Sequence, residues 1–194
     1  MASSSGIRSS SLAILLCLCC LITVVTSITP SFLHKVVRDS NDDYKCVYTI
    51  YVRTGSIWKG GTDSVISLAI AGADGYGVLI EDLESWGGLM GPGHDYFERG
   101  NLDVFSGRGP CISSWPPCWM NLTSDGSGSG HGWYCKYVEV TTTGPHMGCS
   151  QRVFTVEQWL ALDTSPYRLY ATRDLCHDDI AIASGKGRHV SHGQ

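Results

Sequence analysis

Cysteine and histidine are the side chains in this 194-residue chain best equipped for covalent or metal chemistry, and it carries nine of the first and seven of the second. Three cysteines, Cys17, Cys19 and Cys20, stand inside Leu12–Val25, an unbroken apolar run. Arg8 precedes that run, and Val25-Thr26-Ser27 follows it with the small residues of a cleavage site. Residues 1–27 are therefore expected to be a secretory signal peptide. The run is shorter than the roughly 20 residues a helix needs to span a bilayer, so no transmembrane segment is expected after cleavage.

The other six, Cys46, Cys111, Cys118, Cys135, Cys149 and Cys176, are an even number in a chain routed to an oxidising compartment, which predicts three disulfides. Zinc would need closely paired ligands such as C-x-x-C, and no pair has that spacing. Many pairings are open to six cysteines. The expected one joins Cys111 to Cys118 across "CISSWPPC", Cys46 to Cys176 at the ends of the domain, and Cys135 to Cys149. The sequon at Asn121-Leu122-Thr123 predicts a glycan on Asn121, which suits the same compartment. The histidines stand singly, at 34, 94, 131, 146, 177, 189 and 192. Ser127 and Ser129 in "DGSGSGHG" lack the flanking glycines of a nucleophile elbow, and neither H-E-x-x-H nor a P-loop occurs. No catalytic residue is assigned, and the chain is not expected to be an enzyme; an unrecognised enzyme whose site is assembled from distant residues stays open as a second alternative.

One tryptophan stands out by position. In "RTGSIWKGGTDS", residues 53–64, Trp58 and Lys59 occupy a glycine-rich loop between two strand-like runs, 46–53 and 63–70. A large aromatic ordinarily helps to fill a core. At a loop tip beside a cation, an indole instead suits the headgroup region of a membrane, with the lysine able to snorkel. The competing placement folds Ile57 and Trp58 back over the edge of the domain. Trp86, in "ESWGGLMGPGHD", is expected at the same rim as Trp58, whereas Trp133 opens a strand and is expected in the core.

The elements that must position these residues read as strands. Cys46, Tyr48, Ile50 and Val52 alternate onto one face, as do Ile66, Leu68 and Ile70, and Trp133, Cys135 and Tyr137 alternate against Tyr134, Lys136, Val138 and Val140. Further strands are expected over 75–81, 101–105, 119–123, 151–156 and 167–173. Eight short strands between Gly, Pro, Asp and Ser turns predict an all-β, antiparallel eight-stranded β-sandwich. One short helix is expected in "TVEQWLALD", where Thr155 and Gln158 have capping-box spacing and Ser165-Pro166 ends the run. The domain is placed at 46–176, with a flexible segment at 28–45 and a flexible tail at 177–194. Thirteen acidic residues face eight Lys and Arg inside it, which argues against a nucleic-acid partner.

Three segments together carry a family resemblance: "YTIYVRTGSIWKGGTDS" (48–64), "HDYFERGNLDVF" (94–105) and "GWYCKYVEVT" (132–141). In order and spacing they resemble the PLAT domain, the lipoxygenase-homology β-sandwich, and the whole chain is most similar to the plant stand-alone PLAT proteins linked to stress tolerance. The resemblance implies two four-stranded sheets and a non-enzymatic module that docks onto a membrane lipid or a protein partner, in several members with calcium. It also implies that Gly60, Gly61, Asp63, Asp95 and Glu98 supply calcium ligands, with Trp58, Lys59 and Trp86 facing lipid. Calcium suits such a set, because it takes six to eight oxygens from carboxylates and carbonyls. Tyr96 departs from the pattern, standing where calcium-binding relatives often have a second acid. A carbohydrate-binding or cell-wall sandwich would use an exposed aromatic in the same way and stays open as an alternative. The resemblance points to the endoplasmic reticulum or the extracellular space; the final "VSHGQ" shows no retention tetrapeptide.

Overall fold

The computed structural model describes residues 45–114 and 116–177. The expected signal peptide and most of the two flanking segments lie outside the described residues. The elements run β1 (Lys45–Thr54), β2 (Ile66–Ala71), β3 (Gly77–Ile80), α1 (Leu83–Gly87), β4 (Leu102–Pro110), β5 (Trp119–Ser124), β6 (Trp133–Gly144), β7 (Met147–Leu160) and β8 (Tyr170–Asp174). They form two four-stranded sheets, ordered β4-β1-β6-β7 and β3-β2-β5-β8. Every neighbouring pair is antiparallel. The inward sets of β1 and β2 are those that period-2 alternation selects: Tyr48, Ile50 and Val52 face Leu68 and Ile70 across a core that also holds Phe105, Met120, Leu122 and Phe154, all nearly inaccessible to solvent. That shared apolar interior is what two half-buried sheets obtain by stacking.

The structure overturns two local expectations. The capping-box spacing at Thr155 and Gln158 does not start a helix, because residues 147–160 are a single strand. Phe154 and Val156 turn into the core between exposed Thr155 and Glu157, while Thr155 pairs with Tyr137. Cross-strand packing outweighs a local cap motif here. The helix that does form, α1, is capped by Asp82, whose Oδ1 accepts from the Ser85 N–H at 3.2 Å. On β6 the simple alternation fails at a bulge between Cys135 and Tyr137. The extra residue changes the facing, so that Trp133, Cys135, Val138 and Val140 all point inward.

The disulfide pairing is also different: Cys46 joins Cys111 and Cys118 joins Cys176, while Cys135 and Cys149 are free thiols. Cys46 pairs in register with Gly109 on β4, so Cys111, just past that strand, is its neighbour. Cys118 and Cys176 flank Trp119 and Asp174, which face each other in the second sheet. The two bridges therefore each tie strands within one sheet, and a Cys46–Cys176 bond would have to cross between sheets. Cys135 and Cys149 sit toward opposite ends of the β6–β7 ladder, where Cys135 pairs with Gln158 and Thr142 with Ser150. At about 3.3 Å per residue that is roughly 20 Å, far beyond the ~7 Å a disulfide tolerates. Both bridges close one end of the sandwich. The loops between β1 and β2, before β4, between β5 and β6 and between β7 and β8 gather at the other.

Candidate metal and lipid-docking site

At that open end the chain leaves β1 and turns. The Gly60 N–H donates to the Ile57 carbonyl at 3.1 Å, with Trp58 and Lys59 as the central residues and Lys59 in left-handed geometry at φ 59°. The turn sends Trp58 outward, where it is 76% exposed, with the Arg99 guanidinium 5.8 Å from its ring centroid. The placement folded back over the sandwich edge is not the one adopted. Trp133 is the opposite case, fully buried with its Nε1 donating to Thr54 Oγ1 at 3.0 Å. Gly60 also receives the Tyr134 N–H at its carbonyl, which pins the loop to β6. Gly61 lies so close to the segment before β4 that a Cβ there would meet the Arg99 nitrogen at 2.9 Å and Glu98 Oε2 at 3.0 Å.

That close approach brings three carboxylates together. Oxygens of Asp63, Asp95 and Glu98 lie within 4.8 Å of one another, the first two side chains exposed and Glu98 half-buried. Oxygens bound to one calcium at 2.3–2.6 Å lie at most about 5 Å apart, so the donor set and its spread fit this ion. Tyr96 takes no place among them. Its ring is buried against Phe105 at 5.3 Å and His94 at 4.7 Å, and its hydroxyl accepts the Met90 N–H at 3.0 Å. The departure from the family pattern therefore falls on an inward-facing position.

The segment carrying Asp95 and Glu98 is held by a residue that sequence reasoning missed. Asp103 is completely buried on β4; its Oδ2 accepts the Phe97 N–H at 2.8 Å and its Oδ1 lies 2.7 Å from His94 Nε2. Phe97, at φ 59°, stacks on Phe105 and meets Trp133 edge-on. Asn101 completes the clamp, its side chain donating to the Asp95 carbonyl and its backbone N–H to that of Glu98. The sequence signal was a charged residue at a core-facing position of a strand, two before Phe105. A buried charge persists only when its oxygens are hydrogen-bonded.

Between the loops runs a cleft of about 770 Å³, whose walls include Trp58, Asp63, Glu98, His131, Trp159 and Asp163. The loop between β5 and β6 is tied in through Asp125, which accepts the N–H groups of Ser127 and Val65, and the Ser127 bond holds its carboxyl below the usual range. Trp86 is not brought to this end; it packs beside the core, and its ring lies over Gly107 of β4. Asn121 stands on β5, half-buried, its amide oxygen accepting from Thr172 at 2.9 Å.

Two antiparallel four-stranded sheets with acid- and aromatic-bearing loops at one end define a lipoxygenase-homology sandwich, and the PLAT/LH2 domain family model matches residues 48–173. The chain belongs to that family. Within it, the chain groups with the plant stand-alone proteins. It is 61% identical to PLAT domain-containing protein 1 of Arabidopsis thaliana over 142 residues, 73% of this chain and 78% of that one. With PLAT domain-containing protein 2 of the same plant it shares 59% over 154 residues, 79% and 82% of the two chains. Among solved structures, a coral 8R-lipoxygenase described as calcium-activated through a C2-like domain matches at 21% identity and a TM-score of 0.47, over 66% of this chain and 16% of that one. A calcium-dependent 11R-lipoxygenase matches at 21% and 0.44, over 66% and 17%.

Proposed function

We propose that this protein is a non-enzymatic PLAT module of the secretory pathway that docks on lipid surfaces with the help of calcium, as part of a plant stress response. The observation that carries the reading is the pairing of an outward Trp58 with three carboxylates whose oxygens lie within 4.8 Å of each other. Asp63, Asp95 and Glu98 would hold the ion, and the ion would supply the positive charge that relieves their mutual repulsion. With those charges paired, Trp58 enters the interface without carrying uncompensated negative charge beside it. Lys59 follows along the indole's flank, its ammonium at headgroup level. Because the domain is net acidic, aromatic insertion provides most of the affinity. Burying an indole's 150–250 Å² at about 25 cal/mol per Å² sets an upper limit of roughly 4–6 kcal/mol, before the costs of immobilisation.

Co-sedimentation with vesicles of phosphatidylcholine and phosphatidylserine, with and without millimolar calcium, tests this. Binding should depend on calcium, fall at least about tenfold in Trp58→Ala, and fall in Asp95→Ala. The melting temperature of Trp58→Ala should stay within about 1 °C of wild type, since an exposed side chain contributes little to stability. Retention on polysaccharide with no vesicle binding would overturn the lipid reading in favour of a carbohydrate-binding one.

A further inference from the structure

We propose that Asn121 carries an N-linked oligosaccharide whose first sugars lie over the β2 and β3 side of the second sheet and close that outer face to other macromolecules. The sugar requires the secretory routing proposed above, while its seat and its role follow from the fold.

Met120, Leu122 and Ser124 turn into the sandwich, so Trp119, Asn121 and Thr123 stand together on the outer face of β5. The Asn121 amide is already oriented there. Its Oδ1 accepts from Thr172 Oγ1 on β8 at 2.9 Å, and its Nδ2 donates to Thr123 Oγ1 at 3.2 Å. The oxygen therefore faces β8 and the nitrogen turns away from it, with one hydrogen taken by Thr123 and the other left for substitution. On the side away from β8 the neighbours are small. Asn121 pairs with Ala69 and Thr123 with Ser67, and beyond Ala69 its partner Leu79 rises, 45% exposed. Small side chains beside a leucine wall leave a shallow seat for a pyranose ring. On the β8 side the corresponding place is filled by Tyr170, which pairs with Thr123 and has the Arg168 guanidinium 5.4 Å from its ring centroid.

The make-up of this face says what the sugar does. Strands β2, β3 and β5 contain no charged residue at all, whereas the outer face of the first sheet carries Arg53, Arg108 and Glu139. Solvent-facing sheets, and edge strands such as β3 above all, ordinarily use charges to keep other chains from pairing or stacking on them. A hydrated oligosaccharide anchored at Asn121 takes over that role, and its first ring covers apolar atoms of Ala69 and Leu79. The covalent step is a group transfer onto the extended chain in the secretory lumen. Asn121 Nδ2 bonds to C1 of the first N-acetylglucosamine of a polyprenyl-diphosphate-linked oligosaccharide. The C1–O bond to the diphosphate breaks with its electron pair on that oxygen, and the displaced amide proton passes to a base of the transferase. Both hydrogen bonds that orient the amide survive, because Oδ1 is untouched and one N–H remains.

The experiment expresses the full chain in plant cells as wild type, as Asn121→Gln and Thr123→Val, which break the sequon, and as Thr123→Ser, which keeps it. Wild type stripped by peptide:N-glycosidase A after folding supplies the bare state should either sequon-breaking variant fail to fold. Intact mass before and after digestion reads occupancy, amino-terminal sequencing reads signal cleavage, and hydroxyl-radical footprinting reads side-chain cover. Wild type and Thr123→Ser should lose mass on digestion. Their Leu79 should be labelled severalfold less than in the bare proteins, with Trp58 and Leu162 at the acid-bearing end labelled alike in all. Size-exclusion chromatography should show the bare proteins associating at concentrations where glycosylated wild type elutes as a monomer. A cleaved amino terminus with no sugar on Asn121, or an occupied Asn121 with Leu79 labelled as in the bare proteins, would overturn the proposal and leave the secretory routing standing. Bare proteins as monomeric as wild type would overturn the shielding role. A chain both uncleaved and unglycosylated would overturn the proposal and the routing together.

Discussion

Replacing Asp103 by alanine tests whether the acid-bearing segment is held from beneath. The substitution removes the acceptor of the Phe97 N–H and the partner of His94 Nε2. Phe97 is buried and its amide has no water to turn to, so that loss alone costs about 1–3 kcal/mol. The His94 side chain is 24% exposed and can rehydrate, adding less. A total of about 2–3 kcal/mol, at roughly 3–5 °C per kcal/mol for a domain of this size, lowers the melting temperature by roughly 6–15 °C. Asp103→Asn keeps one acceptor oxygen and turns an NH₂ toward the other donor, so it should fall between. Thermal unfolding followed by circular dichroism reads this directly. The calcium-induced rise in melting temperature separates positioning from plain stability: it should shrink in both variants, because Asp95 and Glu98 are no longer fixed against Asp63. An alanine variant within about 1 °C of wild type, or one with an undiminished calcium increment, would refute the reasoning.

Three further outcomes follow from the cysteines and from buried Tyr48. Peptide mapping of the oxidised protein should find Cys46 linked to Cys111 and Cys118 to Cys176, with Cys149 alkylated in the folded state and buried Cys135 only after unfolding. Removing Cys46–Cys111, which spans 65 residues, should cost about 4 kcal/mol by the chain-entropy argument. Alkali should destabilise the fold through Tyr48, whose hydroxyl is pushed up by burial from 10.0 to about 12, against a backbone hydrogen bond at Ile112 that lowers it. Below pH 10 the phenol is protonated whether folded or not. Between the two values only the unfolded chain releases the proton, so stability falls as pH rises, by about 2–3 kcal/mol in all. Denaturant titrations between pH 8 and about 11 should show a flatter slope for Tyr48→Phe, which at neutral pH loses only the 2.6 Å bond to the Pro110 carbonyl, about 1 kcal/mol.

The order of strands and most of their facing were legible because an antiparallel strand with one buried face must alternate. Cys46 to Val52 and Ile66 to Ile70 needed no more than that rule. So were Trp58 at a glycine-flanked turn and the acid-bearing segment before β4, since turn residues and motif order are local properties of the chain. What local pattern could not show was which distant backbone each residue meets. A bulge at Cys135 depends on the β7 partner, and it alone decides that Val138 joins the core beside Trp133. Thr155 to Gln158 carry a helix cap's letters, yet pairing with β6 makes them strand.

Sequence by itself determined that this chain would form a disulfide-bearing β-sandwich with an aromatic loop and nearby acids. Only the tertiary structure decided that Cys46 finds Cys111, that Trp86 lies over Gly107, and that Trp159 and Asp163 join Trp58 around one cleft. The reason is register. Alternation constrains a residue's face, which depends on its neighbours in the chain. Contacts depend on the sliding and stacking of strands, set by the summed packing of the whole core, and no single segment records that sum.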